Sequence, residues 1–273
     1  MTLENYKGNG WKLTHNVDDQ PEEEQFHLHV HEDYELYCMV AGKVGYVVEG
    51  RVYDLRPGSL MLMRSAESHR LLVNKHERYE RYVLNFRPEL IEEQGGAGEL
   101  LRAFTERGLG ERNLYLPSEF SGIEPLGMFR QMCAGCTSLS RETTVRAFLT
   151  ALLCAVNTVF LQHAEEPMYG ESDIGRELIT YINENLLEEL SLSTISAKIH
   201  LSPSQINRVF RGLTGTSVYQ YILSKRLIVA QGMIAQGESA MSASQKCGFR
   251  DYSAFYRLYK KRMGSAPTAK KRT

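Results

Sequence analysis

Two segments near the C-terminus match each other at a constant offset of 49 residues, so that Arg208 pairs with Arg257 and Gly215 with Gly264. In both copies apolar residues recur at spacings of three and four, which indicates one buried face of a helix. The opposite face of each copy is polar and basic. A shorter predicted helix precedes each copy. A short helix, a turn and a second helix with a basic outer face is the pattern of a helix-turn-helix motif, and this chain carries it twice.

Helix-capping residues support this pattern. Ser202 precedes Pro203, which suits the first position of a helix, and Asp251 precedes the second long copy. Ser193 and Ser239 are predicted to cap the two shorter helices. All four helices are therefore expected to begin at a residue whose side-chain oxygen can accept a hydrogen bond from the first helical turn.

The charge distribution indicates a nucleic-acid partner. Residues 198–273 contain 14 Lys and Arg against two acidic residues, a net charge of +12, whereas residues 1–170 carry a net charge of −8. The whole chain carries a formal net charge of −1. A compact basic segment beside an acidic remainder is typical of nucleic-acid binding. A solvated basic face without a partner is the alternative that charge alone leaves open.

Length and composition favour a cytoplasmic protein with about two domains, at ~100–200 residues each for a chain of 273 residues. Five cysteines, an odd and small number, argue against a secreted disulfide framework. The mostly apolar run from Ala147 to Leu161 is shorter than the ~18 residues expected of a membrane span, and the N-terminus shows no signal-peptide pattern. We therefore expect no membrane partner.

The N-terminal half is predicted to be a β domain. Short runs rich in Val, Tyr and Leu follow one another from Phe26 to Phe86, with turn residues such as Pro57-Gly58 between them. Several short strands at ~8–12-residue spacing favour a barrel or a sandwich. Residues 1 to about 20 are polar and turn-rich, apart from Trp11 and Leu13, and are predicted to form an arm or an edge segment.

After Pro88 the apolar period becomes helical. One predicted helix is apolar nearly all round and is expected to be buried, either on the barrel or against a second copy of itself. We take the second alternative as the prediction, since so much apolar surface would need a partner if it were exposed. The residues that carry this dimer prediction are Leu149, Leu152, Leu153, Val156 and Phe160.

The C-terminal third resembles the AraC/XylS family of bacterial transcription regulators. The resemblance lies in LSPSQINRVFRGLTGTSVYQYILSKRLIVAQGMI and in GFRDYSAFYRLYKKRMGSAP, within residues 173–267. It implies two DNA-reading helices held in adjacent turns of the major groove by a long helix, roughly Val218 to Ala235. The base-edge contacts it implies are Ser204, Asn207 and Arg208 in the first module and Tyr252, Ser253, Tyr256 and Arg257 in the second. The phosphate contacts it implies are Arg211, Lys260 and Lys261. The shorter helix of the second module offers Ala240, Ala243, Ser244 and Cys247, which predicts a thin core there.

The β domain resembles the cupin barrel that AraC-family regulators often use as a sensor. The resemblance lies in the spacing His29-x-His31-x3-Glu35-x6-Gly42, followed by Pro57-Gly58 and His69. His29, His31, Asp33 and Glu35 share one parity on a predicted strand, so we expect their side chains to point to one face, and His69 on a later strand can join them. Three imidazoles and a carboxylate could bind Zn, Mn, Fe or Ni. We take a metal-free pocket that hydrogen-bonds a polar ligand as the prediction, with a bound metal or structural polar residues as the alternatives.

These patterns predict an α+β protein of two domains: an N-terminal cupin-like β-barrel with dimerisation helices and a C-terminal all-α double helix-turn-helix domain. The expected boundaries are 1–116 for the barrel, 117–165 for the helical dimerisation segment, 166–172 for a linker and 173–273 for the DNA-binding domain. The predicted function is a ligand-responsive transcription regulator, an activator by resemblance. Its expected partners are double-stranded DNA, a small effector such as a carbohydrate, a second copy of the chain and RNA polymerase. No cofactor is predicted beyond the optional metal, and a metal-dependent cupin enzyme of the isomerase or dioxygenase type is the alternative.

Overall fold

The computed structural model describes residues 1–22, 26–74, 77–92, 96–136, 138–162 and 174–268. The chain divides into an N-terminal unit, residues 1–27 and 33–170, and a C-terminal unit, residues 28–32 and 171–273. The predicted linker at 166–172 lies outside the described residues.

The N-terminal unit contains two antiparallel sheets. Within the described residues its strands are β1 (Thr2–Gly8), β2 (Trp11–Asp18), β3 (Tyr34–Ala41), β4 (Val44–Val48), β5 (Arg51–Leu55), β6 (Leu60–Met63), β7 (His69–Val73), β8 (Tyr79–Phe86) and β9 (Leu114–Tyr115). One sheet has the order β1-β2-β8-β3-β6-β9 and the other the order β5-β4-β7. The six strands predicted between Tyr34 and Phe86 are confirmed as β3–β8. The polar N-terminal segment is a hairpin, in which β1 is the edge strand and β2 pairs with β8.

Strand β3 shows why this unit has two layers of core. Leu36 and Cys38 face one side of the sheet and join the helices in a large apolar cluster. Tyr37 and Met39 face the other side and pack with residues of the smaller sheet. Successive side chains of a strand point to opposite faces, so a strand that is apolar at every position is buried on both. In YELYCMV every position except Glu35 is apolar or aromatic, and the cupin-like arrangement of two packed sheets follows from this burial on both faces.

Five helices accompany the sheets: α1 (Glu89–Glu92), α2 (Ala97–Leu100), α3 (Arg102–Thr105), α4 (Pro125–Ala134) and α5 (Arg141–Gln162), all within the described residues. The five side chains predicted to form a dimer surface lie on α5, and each is at most 6% exposed in this single chain. They pack in the same cluster as Leu36 and Cys38. Of the two alternatives for these side chains, burial in the chain's own core is therefore correct, and the dimer surface predicted from them is wrong.

Helix α5 has the length and apolar composition of a membrane span, but 56% of that stretch is buried inside the unit, as in the core helix of a folded domain. Its outer face exposes small, uncharged side chains in place of the usual Lys and Glu. These outward-facing residues are Thr143, Ala147, Cys154, Thr158 and Leu161.

Between residues 174 and 268 the C-terminal unit consists of six α-helices and the turns that join them. It contains α6 (Ile174–Glu184), α7 (Leu192–Ile199), α8 (Pro203–Thr214), α9 (Val218–Ala235), α10 (Ala240–Lys246) and α11 (Tyr252–Met263). The predicted caps Ser202, Ser239 and Asp251 each accept a hydrogen bond from a backbone N–H of the first turn. For α7 the predicted cap is wrong: Ser191, not Ser193, caps this helix by accepting from the N–H of Thr194. The helix therefore begins at Leu192, two residues before the start at Thr194 that a cap at Ser193 implies.

Each helix-turn-helix module of this unit has its own core. The core of the first module joins α6, α7, α8 and the first half of α9, around large residues such as Ile206 and Phe210. The core of the second module joins the second half of α9 with α10 and α11, around Phe255 and Tyr259. Because α10 and the residue that follows it contribute only Ala243 and Cys247 at fully buried apolar positions, the second core is smaller, as the sequence predicts.

Candidate nucleic-acid interface and ligand pocket

Helix α8 presents its predicted reading residues to solvent. Ser204 and Arg208 are exposed and Asn207 is half-buried, whereas Ile206 and Phe210 on the opposite face are fully buried. The Asn207 amide donates to the Pro203 carbonyl at 3.2 Å, a weak exposed bond that a DNA base can replace. The helix therefore offers a guanidinium and an amide side by side on one face, the two groups that pair bidentately with guanine and adenine edges.

Helix α11 presents an equivalent face. Ser253 and Arg257 are exposed, and Tyr252 and Tyr256 are half-buried. The ring of Tyr252 lies 5.9 Å from that of Phe255, so part of this side chain belongs to the core of the module. Of the four predicted reading residues, Ser253 and Arg257 are thus the most available to a ligand.

The predicted phosphate contacts Arg211, Lys260 and Lys261 are all exposed, in the last turns of α8 and α11. Sequence reasoning missed Arg262, which extends the same basic run, and Arg250, which lies exposed just before α11. The run KKR was itself the signal for Arg262. Cationic side chains near a helix C-terminus also interact favourably with the helix dipole. The basic run therefore does not destabilise the helix when no DNA is bound.

The interior of the N-terminal unit holds a polar cluster built around Glu35. This carboxylate is buried on β3 and accepts a hydrogen bond from Asn85 at 2.8 Å and one from the Tyr46 hydroxyl at 3.3 Å. Asn85 lies directly opposite Glu35 in the β3–β8 register. His69, fully buried on β7, brings its Nε2 to 3.9 Å from Glu35 Oε1. Two of the four predicted pocket residues, Glu35 and His69, are therefore close together within one unit.

The tautomer of His69 follows from its other ring nitrogen. His69 Nδ1 lies 2.8 Å from the Glu67 carbonyl oxygen, which can only accept, so Nδ1 carries a proton. Nε2 is then the atom that faces Glu35, and it can accept from a ligand hydroxyl or bind a metal. Burial raises the pKa of Tyr46 well above its ordinary value, and the neighbouring Glu35 carboxylate raises it further. Tyr46 therefore stays a neutral hydrogen-bond donor.

Three tyrosine rings extend this cluster. The ring of Tyr46 lies 5.9 Å from the imidazole of His69 and 5.0 Å from the ring of Tyr37, whose hydroxyl contacts that of Tyr79. Sequence reasoning did not name these three tyrosines. The signal for Tyr37 was its parity, because it lies two residues after Glu35 on the same strand.

The parity argument for His29 and His31 is wrong, because β3 begins only at Tyr34. Both histidines lie in the segment 28–32, which groups with the C-terminal unit and whose Leu28 packs against the core of the first helix-turn-helix module. Their ring centroids are 5.9 Å apart. Convergence of His29, His31, Glu35 and His69 as one set stays a prediction.

A second buried polar group was missed by sequence reasoning. Glu67 and Arg107, both almost fully buried, form a bidentate ion pair, and Glu67 also accepts from the N–H groups of Arg64 and Gly110. Burial alone would raise the pKa of Glu67, but the hydrogen bonds and charge of Arg107 lower it overall. No local pattern links these residues, since 40 positions separate them.

A cleft of about 440 Å³ opens elsewhere on this unit, between the β1–β2 hairpin and α4. Its lining includes Glu4, His15, Tyr82, Arg130 and Cys133. Burial raises the pKa of Tyr82 and of Cys133 to about 12, so both stay neutral near pH 7. The cleft is large enough for a small ligand. It is therefore a second candidate ligand site, and an experiment must distinguish it from the interior cluster.

Comparison with known proteins matches both units to family models. An AraC-like ligand binding domain matches residues 18–153, and a helix-turn-helix domain matches residues 195–273. The chain belongs to the AraC family of transcription regulators. Its AraC-family architecture makes it a DNA-binding regulator with a ligand-binding domain rather than an enzyme, as the sequence predicts.

Curated relatives of this AraC-family chain are regulators as well. The HTH-type transcriptional activator RhaS of Enterobacter sp. is 22% identical over 247 residues, which cover 89% of this chain and 86% of RhaS. The probable transcriptional regulator LumQ of Photobacterium leiognathi is 33% identical over 89 residues, only 36% of its own length. Among solved structures, ToxT from Vibrio cholerae aligns over 95% of this chain and 97% of its own with 12% identity and a TM-score of 0.42.

Proposed function

We propose that this AraC-family chain is a cytoplasmic activator that binds a small polar ligand inside its N-terminal unit and binds DNA as a homodimer. Activation is proposed because RhaS, which matches most of the chain, is named as a transcriptional activator. RNA polymerase is the further partner that an activator needs. The segment 117–165 carries the dimer surface in this proposal.

The DNA-reading roles rest on the exposed polar faces of α8 and α11. In the proposed complex Ser204, Asn207 and Arg208 contact base edges, and Arg211 contacts a phosphate. The second module contributes Tyr252, Ser253, Tyr256 and Arg257 to bases and Lys260 and Lys261 to phosphates. Base contacts specify the sequence, whereas phosphate contacts position the protein and make the affinity salt-dependent.

The polar ligand is proposed from one observation, the buried Glu35 carboxylate held between Tyr46 and Asn85 with His69 beside it. Acceptors and donors alternate around this cluster, and tyrosine rings border it. That combination suits a polyol or a sugar, whose hydroxyls both donate and accept while its C–H faces pack on aromatic rings. We propose this cluster, with Glu35 and His69 from the predicted set, as the ligand pocket, while the assignment of His29 and His31 to the same pocket stays a prediction from the sequence.

Dimerisation is proposed through the outer face of α5, in place of the buried face. This face carries Thr143, Ala147, Cys154, Thr158 and Leu161 without a charged residue over about five turns, and Leu161 is 49% exposed. Small residues let two helices approach closely, and an uncharged stripe at spacings of three and four matches a second copy of itself.

A thermal-shift screen of monosaccharides and polyols against the full chain tests the ligand proposal. A ligand that binds the native state raises its melting temperature. At least one compound should raise it for the wild type and lose its effect in Glu35→Gln. A compound that shifts the wild type and Glu35→Gln equally would place the ligand elsewhere.

A further inference from the structure

Helix α9 is shared by both helix-turn-helix modules, and the boundary between their cores falls at its centre. Tyr221 and Ile222 belong to the core of the first module, and Leu227 and Ala230 to the core of the second. Arg226 lies at this boundary and is only 8% exposed. A buried arginine is costly unless its donors are satisfied, so its partners show what it holds.

The guanidinium of Arg226 binds both modules. Its Nε donates to the Leu186 carbonyl at 2.8 Å, and one terminal nitrogen donates to the Glu188 carbonyl at 2.6 Å. Both carbonyls follow α6, in the first module. The other terminal nitrogen donates to the Gly248 carbonyl at 3.0 Å, in the turn between α10 and α11 of the second module.

These three partners are neutral carbonyls, and the bonds run in three directions from one planar group. Burial lowers the pKa of Arg226, and the neighbouring Cys247 offsets only part of this effect. The planar guanidinium has several N–H donors in fixed directions, so it can bind three carbonyls in this geometry. A lysine ammonium is a compact point charge and lacks these fixed directions. The arrangement therefore fixes geometry more than it supplies binding energy.

Gly248 shows how closely the turn is seated on Arg226. Its φ is +73°, a conformation that favours glycine. A Cβ atom at this position would lie 2.8 Å from Cζ and from one terminal nitrogen of Arg226. The absence of a side chain at 248 is thus required both by the turn and by the guanidinium packed on it.

The cores alone hold the second module weakly. Its fully buried apolar residues include only Ala243 from α10 and Cys247 just after it, both small, and the connection from α9 to α10 passes through Gly237, whose φ is +102°. Arg226 bypasses this connection by binding the α10–α11 turn directly. An exposed ion pair between Arg250 and Glu189 joins the same two regions, but exposed pairs contribute little.

We infer that Arg226 is the positioning residue that sets the orientation of α11 relative to α8, and so determines which spacing between two DNA segments the chain accepts. This inference rests on the proposed reading of DNA by both helices. One added or removed base pair moves the second segment by ~3.4 Å and turns it by ~35°. If the orientation of α11 relative to α8 is fixed, both helices cannot contact their DNA segments after such a change, and affinity falls. If the orientation is flexible, both helices can still bind.

The test measures spacing discrimination with the full chain. Duplexes selected by the wild type from a random pool provide the reference site, and one base pair is inserted or deleted between the two protected segments. The wild type should lose affinity by at least ~10-fold, comparable to the loss of one or more base contacts. Arg226→Met should lose no more than ~3-fold on the same change, and Arg226→Lys should lie between them.

Controls separate orientation from folding and from DNA reading. Glu189→Gln breaks the ion pair with Arg250 and should keep wild-type spacing discrimination, because that pair is exposed. If Arg226→Met unfolds, Gly248→Ala keeps the charge while displacing the guanidinium, and it should show the same relaxed spacing. Unchanged discrimination in folded Arg226→Lys and Gly248→Ala would overturn the inference. A second control randomises the DNA segment that α11 is proposed to read. If the wild type binds this duplex as tightly as the selected one, α11 does not read DNA and the basis of the inference is removed.

Discussion

Glu67 and Arg107 form a bidentate ion pair inside the N-terminal unit, with N–O distances of 2.7 and 2.8 Å and both side chains at most 1% exposed. The pair joins the turn before β7 to the segment after α3. Because His69 begins β7 and bonds the Glu67 carbonyl, the ion pair also fixes one wall of the proposed ligand pocket. A buried charge pair of this kind makes the stability of the unit depend on pH.

We expect the N-terminal unit to lose stability as the pH falls below about 4.5. The pKa of Glu67 is lowered in the folded state, so the unfolded chain binds the proton more readily. Stability from this group is therefore present above its unfolded pKa and is lost as the pH falls toward its folded pKa. Thermal unfolding of the wild type and of Glu67→Gln between pH 7 and pH 3 measures this loss of stability. The variant should be less stable at pH 7 by ~3–5 kcal/mol, since Arg107 loses its partner, and less sensitive to acid.

Glu106→Gln is the matched control, because Glu106 pairs with Arg102 at the surface, with 54% and 40% exposure. Its stability should change by less than ~0.5 kcal/mol. Equal destabilisation by the two variants, or an unchanged acid transition in Glu67→Gln, would contradict the role assigned to the buried pair.

The ligand response should depend on the interior cluster. Tyr46→Phe removes one donor to Glu35 with little change of shape, so it should abolish or weaken the thermal shift by the compound that stabilises the wild type, while DNA binding without ligand stays intact. His15→Ala alters the outer cleft and is the control that should respond normally. A lost response in His15→Ala with a normal response in Tyr46→Phe would place the ligand in the cleft.

Metal analysis decides how the imidazoles are used. In a metal-free pocket, protein purified without chelator or affinity tag should contain far less than one Zn, Mn, Fe or Ni per chain. Near-stoichiometric metal in the wild type that is lost in His69→Ala would contradict the metal-free ligand and support coordination by His69 Nε2.

Local sequence patterns predicted the strands and helices, whereas contacts between residues far apart in the sequence form the polar clusters of the candidate site. Strand β3 could be predicted because YELYCMV is apolar or aromatic at every position except Glu35, and α8 because Ser202, Pro203 and Gly215 mark its ends. The strand pair β1–β2 was not predicted as such, because an edge hairpin buries few apolar side chains. Asn85 and Arg107 could not be assigned to a site, since their partners lie 50 and 40 positions away and no local period encodes such a distance.

Dimerisation should depend on the outer face of α5. Ala147→Glu combined with Thr158→Glu places like charges on the exposed stripe and should give a folded monomer by sedimentation or sizing. Leu152→Glu with Val156→Glu should instead unfold the unit, because both side chains are fully buried. A dimer that survives the first pair of substitutions would show that another surface joins the copies.

The turn of the first module contains a strained residue that can be relieved. His200 follows α7 with a φ of +57°, whereas the second module has Gly248 at the corresponding turn. His200→Gly should raise the free energy of unfolding by ~0.5–1 kcal/mol, because glycine adopts this conformation without the clash. His200→Val should lower it. Chemical denaturation measures both, and a loss of stability in His200→Gly would show that the imidazole makes a contact that outweighs the strain.

The central claim is that α8 and α11 read DNA through their exposed faces. The direct measurement is the affinity of the full chain for its selected duplex and for a scrambled duplex, across a salt series. Arg208→Ala and Arg257→Ala should each cost ~1–3 kcal/mol on the selected duplex, with the larger loss of specificity for Arg208→Ala. Lys260→Ala should weaken both duplexes alike and reduce the salt slope by ~1. Salt-insensitive binding, or equal losses on both duplexes for the two arginine variants, would contradict the claim.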